Sequence, residues 1–400
     1  MSDRLAIDGG EPVRRSALPY GRQAIDEDDI EAVVQVLRSD YLTTGPEVPR
    51  FEEAFARAVG AAHAVAVSSG TAALHAAIAS LDLEPGDEVI VPTLTFAATA
   101  NAVVMNGAKP VFADVDPDTL LLSPETLSAA LTPRTKAVIG VDYAGQPCDY
   151  VALREVAGEG VHILADACHA LGGRRGGKPV GTLAELSCFS LHPVKHVTSG
   201  EGGVITTDSA ERAGRMKRFR NHGISVDHRQ RARDGSWHYE IDALGYNYRL
   251  TDFQAALGRS QLTKLDGWLS RRRELAHAYR AGLAAEQAFV PLDVEPDVDH
   301  AYHLFVVQVA DGRVEGGRDR VFAALRAEGI GVNVHYLPVH LHPYYRNVRG
   351  TREGQHPVAE AAYGRILTLP LFPTMSDSDL HDVLLACRRV AGALATDRQR

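Results

Sequence analysis

One lysine, one aspartate and a turn of small residues are the parts of this 400-residue chain whose types and order could do chemistry together. Lys195 lies in Ser190-Leu191-His192-Pro193-Val194-Lys195, just after the apolar run Cys188-Phe189. Gly200-Glu201-Gly202-Gly203 and the β-branched run Val204-Ile205-Thr206-Thr207 follow. The pattern predicts strand, tight loop, strand, with the lysine on the loop. A lysine fixed there and partly desolvated gives up its proton more readily, and its free amine can bond a carbonyl carbon as a Schiff base. The plain alternative is a surface lysine on an ordinary hairpin, with Gly202-Gly203 serving only the turn.

Other stretches bear on that choice. The predicted strand His63–Val67 runs into Ser69-Gly70-Thr71-Ala72, a turn that opens an alanine-rich helix. A helix N-terminus offers free N–H groups and the positive end of a dipole, which suit a phosphate. A simple N-cap is the alternative. Phe96 stands at a strand-to-helix junction, where an aromatic could stack on a flat ring or merely join the core. Asp166 ends the apolar run Val161-His162-Ile163-Leu164-Ala165, and carboxyl ends of strands in α/β proteins face ligands. An Asx-turn or a cap is its alternative. Pyridoxal phosphate needs these groups together: N–H donors for its phosphate, a stacking partner, a carboxylate at the pyridine nitrogen and a lysine for its aldehyde.

The elements that must position these residues follow from hydrophobic periodicity. Strands at about residues 63–67, 88–92, 110–115, 137–141 and 161–166 alternate with helices, which predicts an α/β fold with a largely parallel sheet. Asp26 to Asp29 opens a helix with Ile30, Val33, Val34 and Leu37 as its buried face. Ser123 and Pro124 mark another start. Asp208 to Phe219 reads as a basic helix with a glycine cap at Gly223, and residues 225–240 as an Arg- and His-rich mobile loop. Past residue 260 come the helix Leu269–Ala285, strands over Ala301–Val309 and Val332–Tyr336, the helix Arg318–Glu328, and a last helix from Asp377 to Ala391. The expected division is a large α/β domain over 1–260, with an irregular arm at 1–24, and a smaller α+β domain over 261–400.

Composition narrows the class. The chain is 45% hydrophobic and 23% charged with a formal net charge of −9, which disfavours nucleic acid and anionic membranes as partners. Arg271-Arg272-Arg273 and Arg388-Arg389 read as solvated helix faces. Cys148, Cys168, Cys188 and Cys387 are scattered, giving neither a disulfide framework nor a metal site. With no apolar leader and no run of membrane-spanning length, the expectation is a cytoplasmic protein.

The chain resembles the DegT/DnrJ/EryC1/StrS sugar aminotransferases over about residues 15 to 390. The matching stretches are Ser69-Gly70-Thr71-Ala72-Ala73-Leu74, Thr95-Phe96 to Ala102, Asp166-Ala167-Cys168-His169-Ala170-Leu171-Gly172, Ser190 to Lys195, Gly200-Glu201-Gly202-Gly203 and Gly245-Tyr246-Asn247-Tyr248-Arg249-Leu250. Leu191 and Ala165 depart from the family pattern, which commonly has Phe and Glu there. The resemblance implies the type I aspartate-aminotransferase fold with pyridoxal 5′-phosphate as cofactor. It implies Lys195 as the lysine that bonds the cofactor and shuttles the proton, Asp166 at the pyridine nitrogen, His169 beside the ring and Phe96 stacked on it. Thr71, Ala72 and Ser190 would hold the phosphate. Asn247 would reach the phosphate of the other subunit's cofactor in a homodimer with shared active sites.

Within the family, the stretches Tyr20–Ile30, Tyr41–Pro46 and Val334–Tyr345 resemble the transaminases of pseudaminic acid biosynthesis. That implies transfer from L-glutamate to a UDP-linked 4-keto-6-deoxy N-acetyl sugar. Another nucleotide keto-sugar is the alternative. Arg220, Arg229, Arg231 and Arg249 are candidates to meet the diphosphate, or else solvated charges. His335, Tyr336 and His340 are candidates to line the sugar pocket. Other readings are a dehydratase relative, which would carry His in place of Lys195, and a silent partner subunit.

Overall fold

Asp26 starts the first regular element: its side chain takes the N–H of Asp29 while Asp29 takes its own, a reciprocal cap for α1 (Glu27–Leu37). The computed structural model describes residues 4–225 and 235–396. α2 (Glu47–Val59) stops at Gly60, whose φ of 75° suits a residue without a side chain. The chain then alternates: β1 (His63–Val67), α3 (Gly70–Ala79), β2 (Glu88–Pro92), α4 (Ala97–Met105), β3 (Lys109–Ala113), α5 (Pro124–Ala130), β4 (Thr135–Val141), α6 (Tyr150–Ala157) and β5 (His162–Asp166). A short hairpin, β6 (Arg174–Arg175) and β7 (Lys178–Pro179), precedes β8 (Leu186–Ser190), β9 (Gly203–Thr207) and α7 (Ala210–Phe219). Next come α8 (Asp252–Leu262), α9 (Leu265–Leu283), β10 (Phe289–Pro291), β11 (Val298–Asp299), β12 (Phe305–Val309) and α10 (Gly317–Ala327). α11 (Pro343–Arg349), α12 (Pro357–Tyr363), β13 (Ile366–Leu369) and α13 (Asp377–Ala393) finish the chain.

The main sheet has the order β1-β9-β8-β5-β4-β2-β3. All its strands point one way except β9, which runs against β1 and β8. The carboxyl ends of β1, β2, β5 and β8 therefore share one edge, and the loop carrying Lys195 leaves and re-enters the sheet at that edge. Strand residues alternate between cores, as a pleat requires. Val65, Val89, Ile139 and Leu164 pack with α3 and α4 on one face, while Ala66, Ile90, Val138 and Ile163 pack with Phe51 and Phe55 of α2 on the other. Phe55 meets Phe189 edge-on at 5.1 Å. A third cluster joins α9, α10, α13 and the sheet β10-β12-β13 with Leu5 and Leu18 of the N-terminal arm. The arm is pinned there: Ala6 and Val13 donate N–H bonds to Glu328 at 2.8 and 2.9 Å, and Arg14 pairs with Asp379 and Asp382 at 2.7 Å each.

Several expectations need correcting. Ile30 and Leu37 are exposed, and Asp29 and Val36 are the buried residues of α1. α7 ends at Phe219 with Arg220 as its cap, and Gly223 lies beyond the cap in a turn with His222. Val332–Tyr336 forms only an isolated bridge, Asn333 to Thr368. Residues 301–304 are loop: Ala301 and Leu304 donate to the Gly145 and Ala144 carbonyls and Tyr302 to His300 Nδ1, none of them to a strand. α13 passes through Gly392. Arg272 is buried, not solvated, and Arg389 pairs with Glu328. The loop expected at 225–240 falls largely on 226–234, outside the described residues. Among the described residues no helix is long and apolar enough to cross a membrane.

Candidate active site

β1 ends at Val67 and the chain turns at once into α3. Ser69, with extended backbone, caps the helix by accepting the Ala72 N–H at 3.1 Å. The N–H groups of Gly70 and Thr71 precede the intrahelical ladder and lie at the positive end of the helix dipole. The hairpin β8–β9 is pressed against this turn. A Cβ on Gly70 would stand 2.9 Å from Ser190 Cβ, and one on Gly203 would stand 2.3 Å from the Ser69 carbonyl oxygen. Only glycine at both positions lets Ser190 and the first turn of α3 form one cradle.

Asp166 leaves the end of β5 nearly buried. Its Oδ2 accepts the Thr99 hydroxyl at 2.7 Å, and its Oδ1 accepts the Cys168 N–H at 3.3 Å. Thr95 bonds Thr99 at 2.8 Å, so the first turn of α4 aims this carboxylate. Lys195 is held by its own N–H on the His192 carbonyl at 2.9 Å. Burial lowers the amine from the ordinary lysine value, with Cys168 and Asp166 opposing. Its Nζ lies 3.5 Å from His303 Nε2. His169 faces the Tyr336 hydroxyl through Nε2 at 3.1 Å, and burial, then the charge of Lys195, keep it well below the usual histidine range.

Thr71, Phe96, Asp166, His169, Ser190 and Lys195 line one cavity of about 590 Å³, and His335 and Tyr336 line it as well. That volume is in the range of small-molecule sites. A flat phosphorylated pyridine aldehyde fits these residues. The cradle suits a phosphate and Asp166 a ring nitrogen. Phe96 is 59% exposed in the cavity wall, and Nδ1 of both His169 and His303 is buried without a partner.

Other expected residues stand elsewhere. Ala72 is buried behind the turn, with its N–H taken by Ser69. Asn247 is exposed outside this cavity and bridges Asn221, and Arg249 donates to Asn221 Oδ1 at 2.8 Å. Arg220 is committed to Glu52 and the Ala66 carbonyl. Arg229 and Arg231 lie outside the described residues. His340 is fully buried away from the cavity, its nitrogens engaged by Thr93 at 2.6 Å and Glu360 at 2.9 Å. His303, Thr99 and Tyr20 were not expected. Tyr20 comes from the arm and lies 5.3 Å from the His335 ring.

The profile of the DegT/DnrJ/EryC1/StrS aminotransferase family matches residues 23–388. The chain is 42% identical over 380 residues to the spore coat polysaccharide biosynthesis protein SpsC of Bacillus subtilis, covering 94% of this chain and 98% of that one. Its structure is similar to Spr1654 of Streptococcus pneumoniae, a candidate sugar aminotransferase in its PMP form, with a TM-score of 0.89, 32% identity, and 94% and 99% of the two chains covered. It is also similar to Helicobacter pylori PseC, an aminotransferase involved in the biosynthesis of pseudoaminic acid, with a TM-score of 0.88, 28% identity, and 95% and 100% covered.

Proposed function

The chain belongs to the DegT/DnrJ/EryC1/StrS aminotransferase family, and from that premise we propose that it moves the amino group of L-glutamate to the C4 keto group of a UDP-linked 4-keto-6-deoxy N-acetyl sugar, on a route to pseudaminic acid. The observation that carries this reading is one cavity shared by the Lys195 amine, the Asp166 carboxylate and the N-terminus of α3. The cofactor is pyridoxal 5′-phosphate, which when bound supplies an aldehyde for amines and an electron-withdrawing ring. In this reading Gly70, Thr71 and Ser190 bind the phosphate, Phe96 stacks on the ring and Asp166, aimed by Thr99, pairs with the ring nitrogen. Lys195 Nζ takes a proton from the donor's α-carbon and later returns one, work suited to an amine whose basicity burial has lowered. Tyr336 and His335 orient the sugar.

The reading includes a homodimer in which Asn247 completes the partner's site. Its support is exposed apolar surface on the single chain: Ile30 and Leu37 of α1, Leu42, and Ile241 with Leu244 just before Asn247. It also takes the enzyme to be cytoplasmic, in keeping with its free cysteines.

A different nucleotide keto-sugar is the second reading, favoured by the higher identity to SpsC, 42%, than to PseC, 28%. Purified enzyme should be assayed with glutamate against a panel of 4-keto and 3-keto nucleotide sugars. Turnover of the N-acetyl 4-keto-6-deoxy sugar above the others is expected. Equal or better turnover of a different sugar selects the second reading. An absorption band at about 420 nm, trapped by borohydride in wild type and absent in Lys195→Ala, tests the lysine.

A further inference from the structure

His303 reaches the cavity from a loop far along the chain, and the structure over-determines its position. Tyr302 just before it has φ of 48°, a left-handed conformation that strains a residue with a side chain. The loop is clamped onto the tight turn Tyr143–Gly145 that follows β4, with the Ala301 N–H on the Gly145 carbonyl at 2.9 Å and the Leu304 N–H on the Ala144 carbonyl at 3.1 Å. Gly145 comes so near that a Cβ there would lie 2.7 Å from Tyr302 N and 3.0 Å from His303 N. Behind the loop, Arg272 is 1% exposed and donates to the carbonyls of Tyr302, His303 and Leu371 at 3.2, 3.4 and 2.9 Å. Among the described residues no carboxylate pairs with it, and burial alone acts on its guanidinium. A buried guanidinium without a counter-charge is an expensive anchor for a loop. What these features share is that they hold one imidazole 3.5 Å from Lys195 Nζ.

We propose that His303 is the positioning residue of Lys195: its Nε2 accepts a hydrogen from the amine and steadies the protonated form between uptake and delivery of a proton. The proposal rests on the transaminase reading above. The imidazole must stay neutral to accept, and its surroundings keep it so. Burial acts first, then the charge of Lys195, then His169 and His196, whose rings are centred 4.5 and 5.7 Å away, and last Arg272. When the amine takes up a proton it becomes an ammonium, one N–H of which points to Nε2. No proton passes to His303, whose own hydrogen stays on Nδ1, and His303 makes no bond to carbon. On delivery of the proton the amine is neutral again. Asp166 and Cys168 are the other groups that favour the charged form of Lys195.

The test compares wild type with His303→Leu, which removes the acceptor, and His303→Gln, which supplies another. Cofactor-free protein is labelled with trace acetic anhydride across pH, and acetylation of Lys195 is read by mass spectrometry. Loss of the acceptor should lower the Lys195 midpoint by about one unit, roughly tenfold in proton affinity, and Gln should restore most of it. In the cofactor-loaded enzyme, Leu should lower kcat for the glutamate half-reaction about ten- to a hundredfold with little change in KM, again with rescue by Gln. If Leu prevents folding, His303→Asn, too short to reach the amine, takes its place. An unchanged labelling midpoint overturns the proposal, as does a joint fall of kcat, KM and thermal midpoint without rescue by Gln. Absence of a borohydride-trapped bond at Lys195 in wild type would instead overturn the transaminase reading.

Discussion

Thr99 shows how much of a buried carboxylate's behaviour is set by its neighbours. Its hydroxyl, 2.7 Å from Asp166 Oδ2, fixes the direction of the acid. Thr99→Val keeps the shape and removes the bond, which is charge-assisted and worth about 1.5–3 kcal/mol. Cofactor affinity, read by fluorescence titration, should weaken about tenfold. Asp166→Asn should lower the single-turnover rate with glutamate by about a hundredfold or more. That Lys195 and Asp166 share one cavity was legible only from their conjunction with the turn at residues 69–72 and Phe96, since each alone also reads as an ordinary hairpin lysine or a capping acid. Thr99 and His303 were not. Each sits in a locally ordinary sequence and gains its role only through a neighbour brought in by the fold. His340 misled for the complementary reason. Its loop reaches the sheet, but the ring turns to Thr93 and Glu360 and is sealed there.

At the scale of elements, the site depends on how closely the β8–β9 hairpin meets α3. Gly203→Ala puts a carbon 2.3 Å from the Ser69 carbonyl, and backbone cannot yield as a flexible side chain can. The strand must shift, costing about 1–3 kcal/mol, and the phosphate cradle opens with it. Both the thermal midpoint and cofactor affinity should fall, and an unchanged affinity would contradict this account of the cradle. Ser69→Ala, which removes only the cap, should cost about 1 kcal/mol. Helix starts were the most legible elements: Asp26 caps reciprocally with Asp29, and Ser123 with Thr126, Pro124 standing at the first helical position. Residues 301–304 and 332–336 were misread because a run rich in apolar residues also describes chain that bonds to loops, as 301–304 does, or that touches a strand at one bridge, as Asn333 does with Thr368.

For the whole molecule, buried histidines set the response to acid. Burial holds His169, His196, His300, His303 and His335 below their ordinary range, His335 at about 4 and His300 at about 3. Unfolded, each takes up a proton near about pH 6.5. Below that pH the unfolded chain binds more protons than the folded one, so stability falls as pH drops. Asp142 works the other way: burial raises it to about 7, so the folded chain keeps a proton that the unfolded one releases. One carboxyl is outweighed by this group of imidazoles, and the thermal midpoint should fall between about pH 7 and pH 5. The shared-site proposal is tested by mixing inactive subunits. Lys195→Ala and an inactivating Asn247 variant, unfolded and refolded together, should recover up to about a quarter of wild-type activity, since half the random dimers hold one intact site. Finally, the arm that donates Tyr20 is sewn to the other end of the chain, Arg14 to Asp379 and Asp382 and the first N–H groups to Glu328. On the ribosome, Arg14 has no partner until Asp379 and Asp382 have emerged, long after Asp166 and Lys195. The wall that Tyr20 lends the cavity therefore sets late, and a nascent chain carries its reactive amine before it has a finished pocket around it.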